Sequence, residues 1–512
     1  MAPRAARAAS VAQMSACSRV APTLRLASSI LLLVLALAPG RAGATSASLE
    51  QLRAISGTSP FPGGCPGVSG TPTRDSEGEP HLTADVRHPR HLVVTWQQDR
   101  FPVYGGARSN LVGVSRDGGR HWRRVLVPGI SRCTGGADER TSDPWLSFGR
   151  GGDLFLASLT FNNDLSGQLS ELLGTEIAGP TALRVSRSTN GGRSWERPAT
   201  VVDAGLYDDR EAVTADPRRR GNVYITWVRR LGAFGETGFE YFSRSSDGGR
   251  SWSAPRPIYT TAPGVFTDPT YVDVLPDGTL LNTFLVANAT FAIPGGLTPV
   301  IPWHVMAMRS SDQGRTWSNP ERIATIQPYS PSDPDSGAEV RSIPLISTAV
   351  APDGTAYIVW NEKPGPDVFN RSFIRISRSS DGGRSWSSPQ EVATVRGQAF
   401  LPSVAVMPDG TIGVTWDDTS RDRRGDGRFT ADVRFAHSHD GGRSWHRRHL
   451  AGPFDLLQGP RSGSAGIGGI FLGDYQALVG LPRGFAGVFA LTPPLARSGP
   501  SDVFFARVSV PR

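Results

Sequence analysis

The chain has 512 residues, with 59 glycines, 41 prolines and only 20% charged residues. That composition suits many strands joined by tight turns, and it excludes both a helical bundle and a charged disordered chain. The formal charge of +8 falls to +3 once the five arginines of residues 1–44 are set aside; beyond them acids and bases are interspersed, so no nucleic-acid partner is expected.

In chain order, the first predicted element is a leader. Arg4, Arg7, Arg19 and Arg25 precede an uncharged apolar run at 30–38, and Ala42-Gly43-Ala44 follows with small residues suited to cleavage. This predicts a signal peptide over 1–44 and a secreted, extracellular protein. The apolar run is short for a bilayer, and no later segment reads as a membrane span. Cys17 leaves with the leader. Cys65 and Cys133 remain as an even pair in an exported chain, which predicts a disulfide between them. Residues 45–79 read as an N-terminal extension and 80–512 as one repetitive domain.

An eight-residue pattern then recurs six times. It runs from Ser115 to Trp122, Ser188 to Trp195, Ser245 to Trp252, Ser310 to Trp317, Ser379 to Trp386 and Ser438 to Trp445. Each copy has Asp or Asn at its third position: Asp117, Asn190, Asp247, Asp312, Asp381 and Asp440. The carboxylate or amide accepts backbone N–H bonds, the glycines supply positive φ and the tryptophan tucks back as an apolar plug. Each copy joins two strand-like runs, so it reads as a hairpin turn rather than a ring of catalytic or calcium-binding aspartates.

A second series of turns includes Pro276-Asp277-Gly278, Pro352-Asp353-Gly354 and Pro408-Asp409-Gly410, with looser equivalents at His88-Pro89-Arg90, Arg150-Gly151-Gly152, Asp216-Pro217 and Pro482-Arg483-Gly484. Trp96, Trp227, Trp360 and Trp416 end the strands that follow such turns. The module is strand, short turn, strand, long loop, strand, hairpin turn, strand. One such sheet cannot bury both faces, so copies must stack around an axis. The expected fold is all-β, a single β-propeller of four-stranded blades. Seven blades is the favoured count, with the extension before His81 supplying the outer strand of the last; six is the alternative if the first or last module is irregular.

The six repeated turns resemble the Asp-box (BNR) repeat of the sialidase-like propeller superfamily, over about residues 80–511. That superfamily includes exo-sialidases, other glycan-acting enzymes and non-catalytic proteins. The resemblance therefore implies a secreted, sialidase-like glycoside hydrolase acting on sialic- or uronic-acid-containing glycans. The alternatives are a carbohydrate-binding propeller without turnover and a polysaccharide lyase on the same scaffold. A monomer is expected.

Alternating strand directions put the short turns and hairpin turns on one face. The long loops and the starts of the first strands lie on the other. This second face gathers Asp99 and Arg100 after Trp96, then Asp143, Asp208, Asp209, Arg210 and Glu211, Asp268 and Tyr271, Arg341, Asp417, and Asp474 with Tyr475. The resemblance implies Tyr475 as nucleophile, Glu211 as its partner and Asp99 or Asp143 as acid and base. Arg100, Arg210 and Arg341 would clamp the sugar carboxylate, with Asp268, Tyr271, Asp417 and Asp474 lining the site. Where the superfamily carries Arg-Ile-Pro, this chain reads Glu79-Pro80-His81. No cofactor is required; calcium on Asp208, Asp209 or Asp417 with nearby carbonyls is an alternative.

Overall fold

The computed structural model describes residues 47–103, 105–163, 180–231, 237–288, 302–342, 345–365, 370–462 and 469–511. The expected leader, with Cys17, lies outside these residues. The described residues form strands and two short 3-10 turns, without an α-helix. No helix among them is long and apolar enough to cross a membrane.

Antiparallel pairing groups the strands into five four-stranded sheets and one eight-stranded sheet. Within the eight-stranded sheet, the only register pair between strands Ala107–Ser115 and Arg140–Phe148 is Ala107 with Thr141. Among the described residues the strands fall into seven four-strand units, joined into six continuous sheets. The fold is an all-β propeller. In the last unit the outer strand is Ser48–Ala54, paired antiparallel with Asp502–Ser509. The two ends of the domain thus meet in one sheet.

The second-strand tryptophans anchor these sheets. Trp96, Trp227 and Trp360 are fully buried and Trp416 nearly so. Each indole N–H finds an acceptor: Gln98 at 3.0 Å, Asp208 at 2.8 Å, Glu362 at 3.1 Å and Asp418 at 3.2 Å. A buried indole left without a partner would cost about 1–3 kcal/mol.

All six repeated turns close in the same way. The leading serine hydroxyl accepts the N–H of the glycine four residues on, as from Gly119 to Ser115 at 2.9 Å and Gly383 to Ser379 at 2.8 Å. The Asp or Asn oxygen accepts the N–H four residues on, as from His121 to Asp117 at 3.0 Å and Ser194 to Asn190 at 3.0 Å. Gly119 sits at φ 92°, and a Cβ there would come within 2.1 Å of Phe505 from the last unit. Glycine is therefore required both for the turn and for the approach of neighbouring units.

Cys65 and Cys133 form a disulfide, with their Cα atoms 5.0 Å apart. It ties the extension to the loop following the outer strand of the first unit, Arg123–Leu126.

Candidate active site

The seven inner strands meet around one cavity of about 220 Å³. Its lining includes His81, Trp145, Ala212, Tyr271, Ser347 and Ser403 from six units, and Leu478 from the seventh. His81 stacks on Trp145 at 3.9 Å, Trp145 stacks on Tyr271 at 4.8 Å, and Tyr475 meets Trp145 edge-on at 5.2 Å. This aromatic layer crosses the cavity near the starts of the inner strands.

Just before that layer, five inner strands carry the same irregularity. The register slips by one residue between Gly78 and His81, Ser142 and Trp145, Asp209 and Ala212, Thr267 and Thr270, and Phe400 and Ser403. Such bulges re-aim side chains. The first bulged residues are Glu79, Asp143, Arg210, Asp268 and Leu401. Four of them, Glu79, Asp143, Arg210 and Leu401, have φ between 48° and 60°. Non-glycine residues hold that conformation only when their surroundings over-determine it, and they cluster at functional sites. Proline follows at positions 80, 144, 269 and 402, while Glu211 occupies the equivalent place after Arg210.

The bulges gather a buried charged layer. Arg210 Nε lies 3.0 Å from Asp268, and its Nη1 donates to Asp474. Arg230 donates to the second Asp268 oxygen at 2.6 Å, and Arg341 lies 3.9 Å from Asp474. Arg100 donates to Gln97 at 2.5 Å and to Ser462 at 3.2 Å; Arg341 also donates to Ser462 at 3.5 Å. Both guanidiniums lie over the Phe471 ring, at 3.7 and 4.9 Å. Gln97 bridges Glu79 to Ser142, the latter at 2.8 Å, and Ser142 donates to Asp143 at 2.6 Å. The backbone N–H groups of Asp143 and Arg210 reach Glu79 and Asp143 respectively, each at 3.3 Å.

Burial and crowding separate the proton affinities of these acids. Burial, then the Asp143 charge, raises Glu211 well above the carboxylate range; neither of its oxygens has a hydrogen-bond partner. Burial, then Asp143 and Asp474, does the same for Glu79. Burial, then Asp209, pushes Asp143 up to about 6. For Asp474 burial works upward too, but Arg210 and Arg341 outweigh it and hold the group below its ordinary value. Burial, then Glu79, Asp143 and Glu211, raises the Tyr475 phenol well above 10, and its hydroxyl donates to the Pro144 carbonyl at 3.0 Å.

Nine of the eleven site residues expected from sequence therefore gather here, Arg100, Asp143, Arg210, Glu211, Asp268, Arg341 and Asp474 in the charged layer and Tyr271 and Tyr475 in the aromatic layer beside it. Two do not join them. Asp99 accepts from Ser59 at 2.5 Å, from the Asp75 N–H at 2.9 Å and from Arg108 at 3.2 Å, so it clamps the N-terminal extension. Asp417 accepts from Gln476 at 2.7 Å. Sequence reading missed Glu79, Gln97, Ser142 and Arg230 as members of the layer, and His81 and Trp145 as its floor. The X-Pro pair that recurs at four of the five bulges was the available signal. As for calcium, Asp208 receives two bonds from Arg229, at 2.7 and 2.8 Å, and the Trp227 indole. Among the described residues no group of three or more His, Cys, Asp or Glu side chains is arranged to hold a metal ion.

No family model matches the chain. A sialidase from Micromonospora viridifaciens is 24% identical over 417 residues, covering 74% of this chain. The match spans 57% of that relative, less than two thirds of its length. Among solved structures, a Hadza microbial sialidase aligns at 16% identity and TM-score 0.44, covering 82% of this chain and 73% of its own. The Trypanosoma rangeli sialidase in complex with sialic acid aligns at 11% and 0.39, covering 76% and 55%. An ulvan lyase of a polysaccharide lyase family aligns at 13% and 0.49, covering 90% and 96%. The repeat, the strand pairing and the Micromonospora match support placement in the sialidase-like propeller superfamily. The curated relative is a sialidase by name.

Proposed function

We propose that the protein is a secreted glycoside hydrolase that cleaves acidic glycans at the charged layer. The observation that supports this most is geometric. Equivalent bulges place Glu79, Asp143, Arg210 and Asp268 just before the residues that line the shared cavity, with Glu211 beside Arg210 and Asp474, which does line it, between Arg210 and Arg341. Glycosidic cleavage needs one carboxyl that is protonated and one that is ionised at the same pH. Glu211, whose hold on its proton burial strengthens, is suited to donate the proton. Asp143, ionised above about pH 6, is suited to act as base or nucleophile. Arg341, whose side chain is 31% exposed, and the buried Arg100 share Ser462, and this pair would receive a sugar carboxylate.

Tyr475 takes a supporting role in this reading. Its phenol is surrounded by acids and bonded to a backbone carbonyl, and both features oppose a phenolate. A second reading, a carbohydrate-binding propeller without turnover, is favoured by the neutralisation of Arg210 by Asp268 and Asp474. The test is a panel of fluorogenic sialosides, uronides and neutral glycosides, with wild type beside Tyr475→Phe. The account expects turnover of an acidic glycoside, with the variant within about tenfold of wild type. Abolition of turnover in Tyr475→Phe would make the phenol the nucleophile after all. Saturable binding without turnover across the panel would favour the second reading.

A further inference from the structure

The face at the other ends of the inner strands is chemically asymmetric. In the fourth to sixth units, the turn between first and second strands is Pro-Asp-Gly, with Asp277, Asp353 and Asp409. In the first three units the same turns carry Arg90, Arg150, and Arg218-Arg219-Arg220. These arginines interlock across units. Arg150 Nη1 donates to the Arg218 carbonyl at 2.5 Å. A Cβ on Gly151 would meet Arg220 Nε at 2.9 Å, so glycine leaves room for that guanidinium. Arg116 Nη2 donates to the Asn190 carbonyl at 2.9 Å, and the nearby Arg193 charge acts on it.

The acids on this part of the face are already engaged. Asp85 binds Arg87 at 3.2 Å and His88 at 3.0 Å, and Asp153 binds Arg187 at 3.2 Å. Asp216 accepts from the N–H groups of Arg218 and Arg219, at 2.8 and 3.0 Å, and from Tyr224 at 3.1 Å. Asp117 and Asp247 close their own turns. Among the described residues, Arg90, Arg116, Arg150, Arg193, Arg218 and Arg220 form no ion pair with a carboxylate.

We propose that this arginine arc binds an acidic polysaccharide chain, bearing sulfate or carboxylate groups, on the face opposite the charged layer. Guanidinium forks take such oxygens in pairs, and an arc drawn from three units matches an extended polyanion better than a small anion. Among the described residues the exposed large apolar side chains are Val86, Leu126 and Leu206, none of them the aromatic ring on which single-stranded nucleic acid stacks. The proposal stands whether or not the charged layer is catalytic.

The experiment measures binding of fluorescent heparin oligosaccharide at about 50 and about 300 mM salt, with neutral dextran and a single-stranded oligonucleotide of similar charge as comparisons. The expected result is heparin binding that weakens about tenfold or more over that salt range. Replacing Arg218, Arg219 and Arg220 together by serine should weaken it about tenfold, while Arg315→Ser in the fourth unit should leave it within about twofold. Arg150→Ser with Arg193→Ser provides an independent second variant if the triple variant melts early. No heparin binding at low salt would overturn the proposal. So would binding untouched by both sets of substitutions, or equal or tighter binding of the oligonucleotide.

Discussion

Asp143 concentrates the argument at the scale of one residue. Its carboxylate holds the Arg210 N–H and receives Ser142, yet burial and the Asp209 charge push it up to about 6. The folded protein therefore binds this proton more tightly than the unfolded chain, whose aspartates titrate near 3.9. The resulting stability is fully present below the unfolded value and is lost as pH rises through about 6. Asparagine cannot ionise and tolerates positive φ. Asp143→Asn should therefore gain on wild type in unfolding free energy between pH 4 and pH 7, by on the order of 1–3 kcal/mol. A difference that stays flat or shrinks over that range would contradict the burial argument. Asp99 teaches the opposite lesson. Its position after Trp96 looked functional, but its partners Ser59 and Asp75 lie in the extension, and no local pattern reveals a clamp to a segment so far back in the chain.

At the scale of elements, the repeated turns were fully legible, because each turn's geometry is set within its own eight residues. The bulges were not. Strand alternation reports which face a residue takes, and one inserted residue reverses that face without disturbing composition. The pairs Glu79-Pro80, Asp143-Pro144 and Asp268-Pro269 were visible as sequence, but their equivalence emerges only from the register. The turn chemistry makes its own prediction. Asp381 accepts from the N–H groups of Arg384 and Ser385, at 2.9 and 3.0 Å, and from the Ser379 and Ser385 hydroxyls, at 2.8 and 2.6 Å. Asp381→Ala should cost about 1–3 kcal/mol in chemical denaturation. Asp381→Asn should cost well under half of that, since Asn190 already supports the equivalent turn in the second unit. Equal losses for both variants would show that charge, not the oxygen acceptor, holds the turn.

Across the whole molecule, the extension joins the beginning of the domain to its end. Strand Ser48–Ala54 completes the last sheet, and the Cys65–Cys133 disulfide fixes the segment that follows to the first unit. The bridge spans 68 residues, for which the chain-entropy relation gives about 4 kcal/mol. Cys65→Ser with Cys133→Ser should lower stability by up to that amount while leaving the charged layer intact. A variant as stable as wild type would mean that strand pairing alone secures the extension. The pairing of cysteines was legible from their number; the direct contact of Asp474 with Arg210, 264 residues apart, was not, because it depends on how the inner strands of separate sheets meet and not on any local pattern.

The central claim of the proposed function is that Asp143 and Glu211 work as an acid–base pair in the charged layer. It is tested most directly by kcat/KM for the best acidic glycoside, measured from pH 4 to 9 in wild type, Asp143→Asn and Glu211→Gln. The account predicts a bell-shaped wild-type profile with its acid limb near pH 6. Each variant should lose about a hundredfold or more, and Asp143→Asn should also lose the acid limb. Activity in both variants within a few fold of wild type, or an unchanged acid limb in Asp143→Asn, would contradict it.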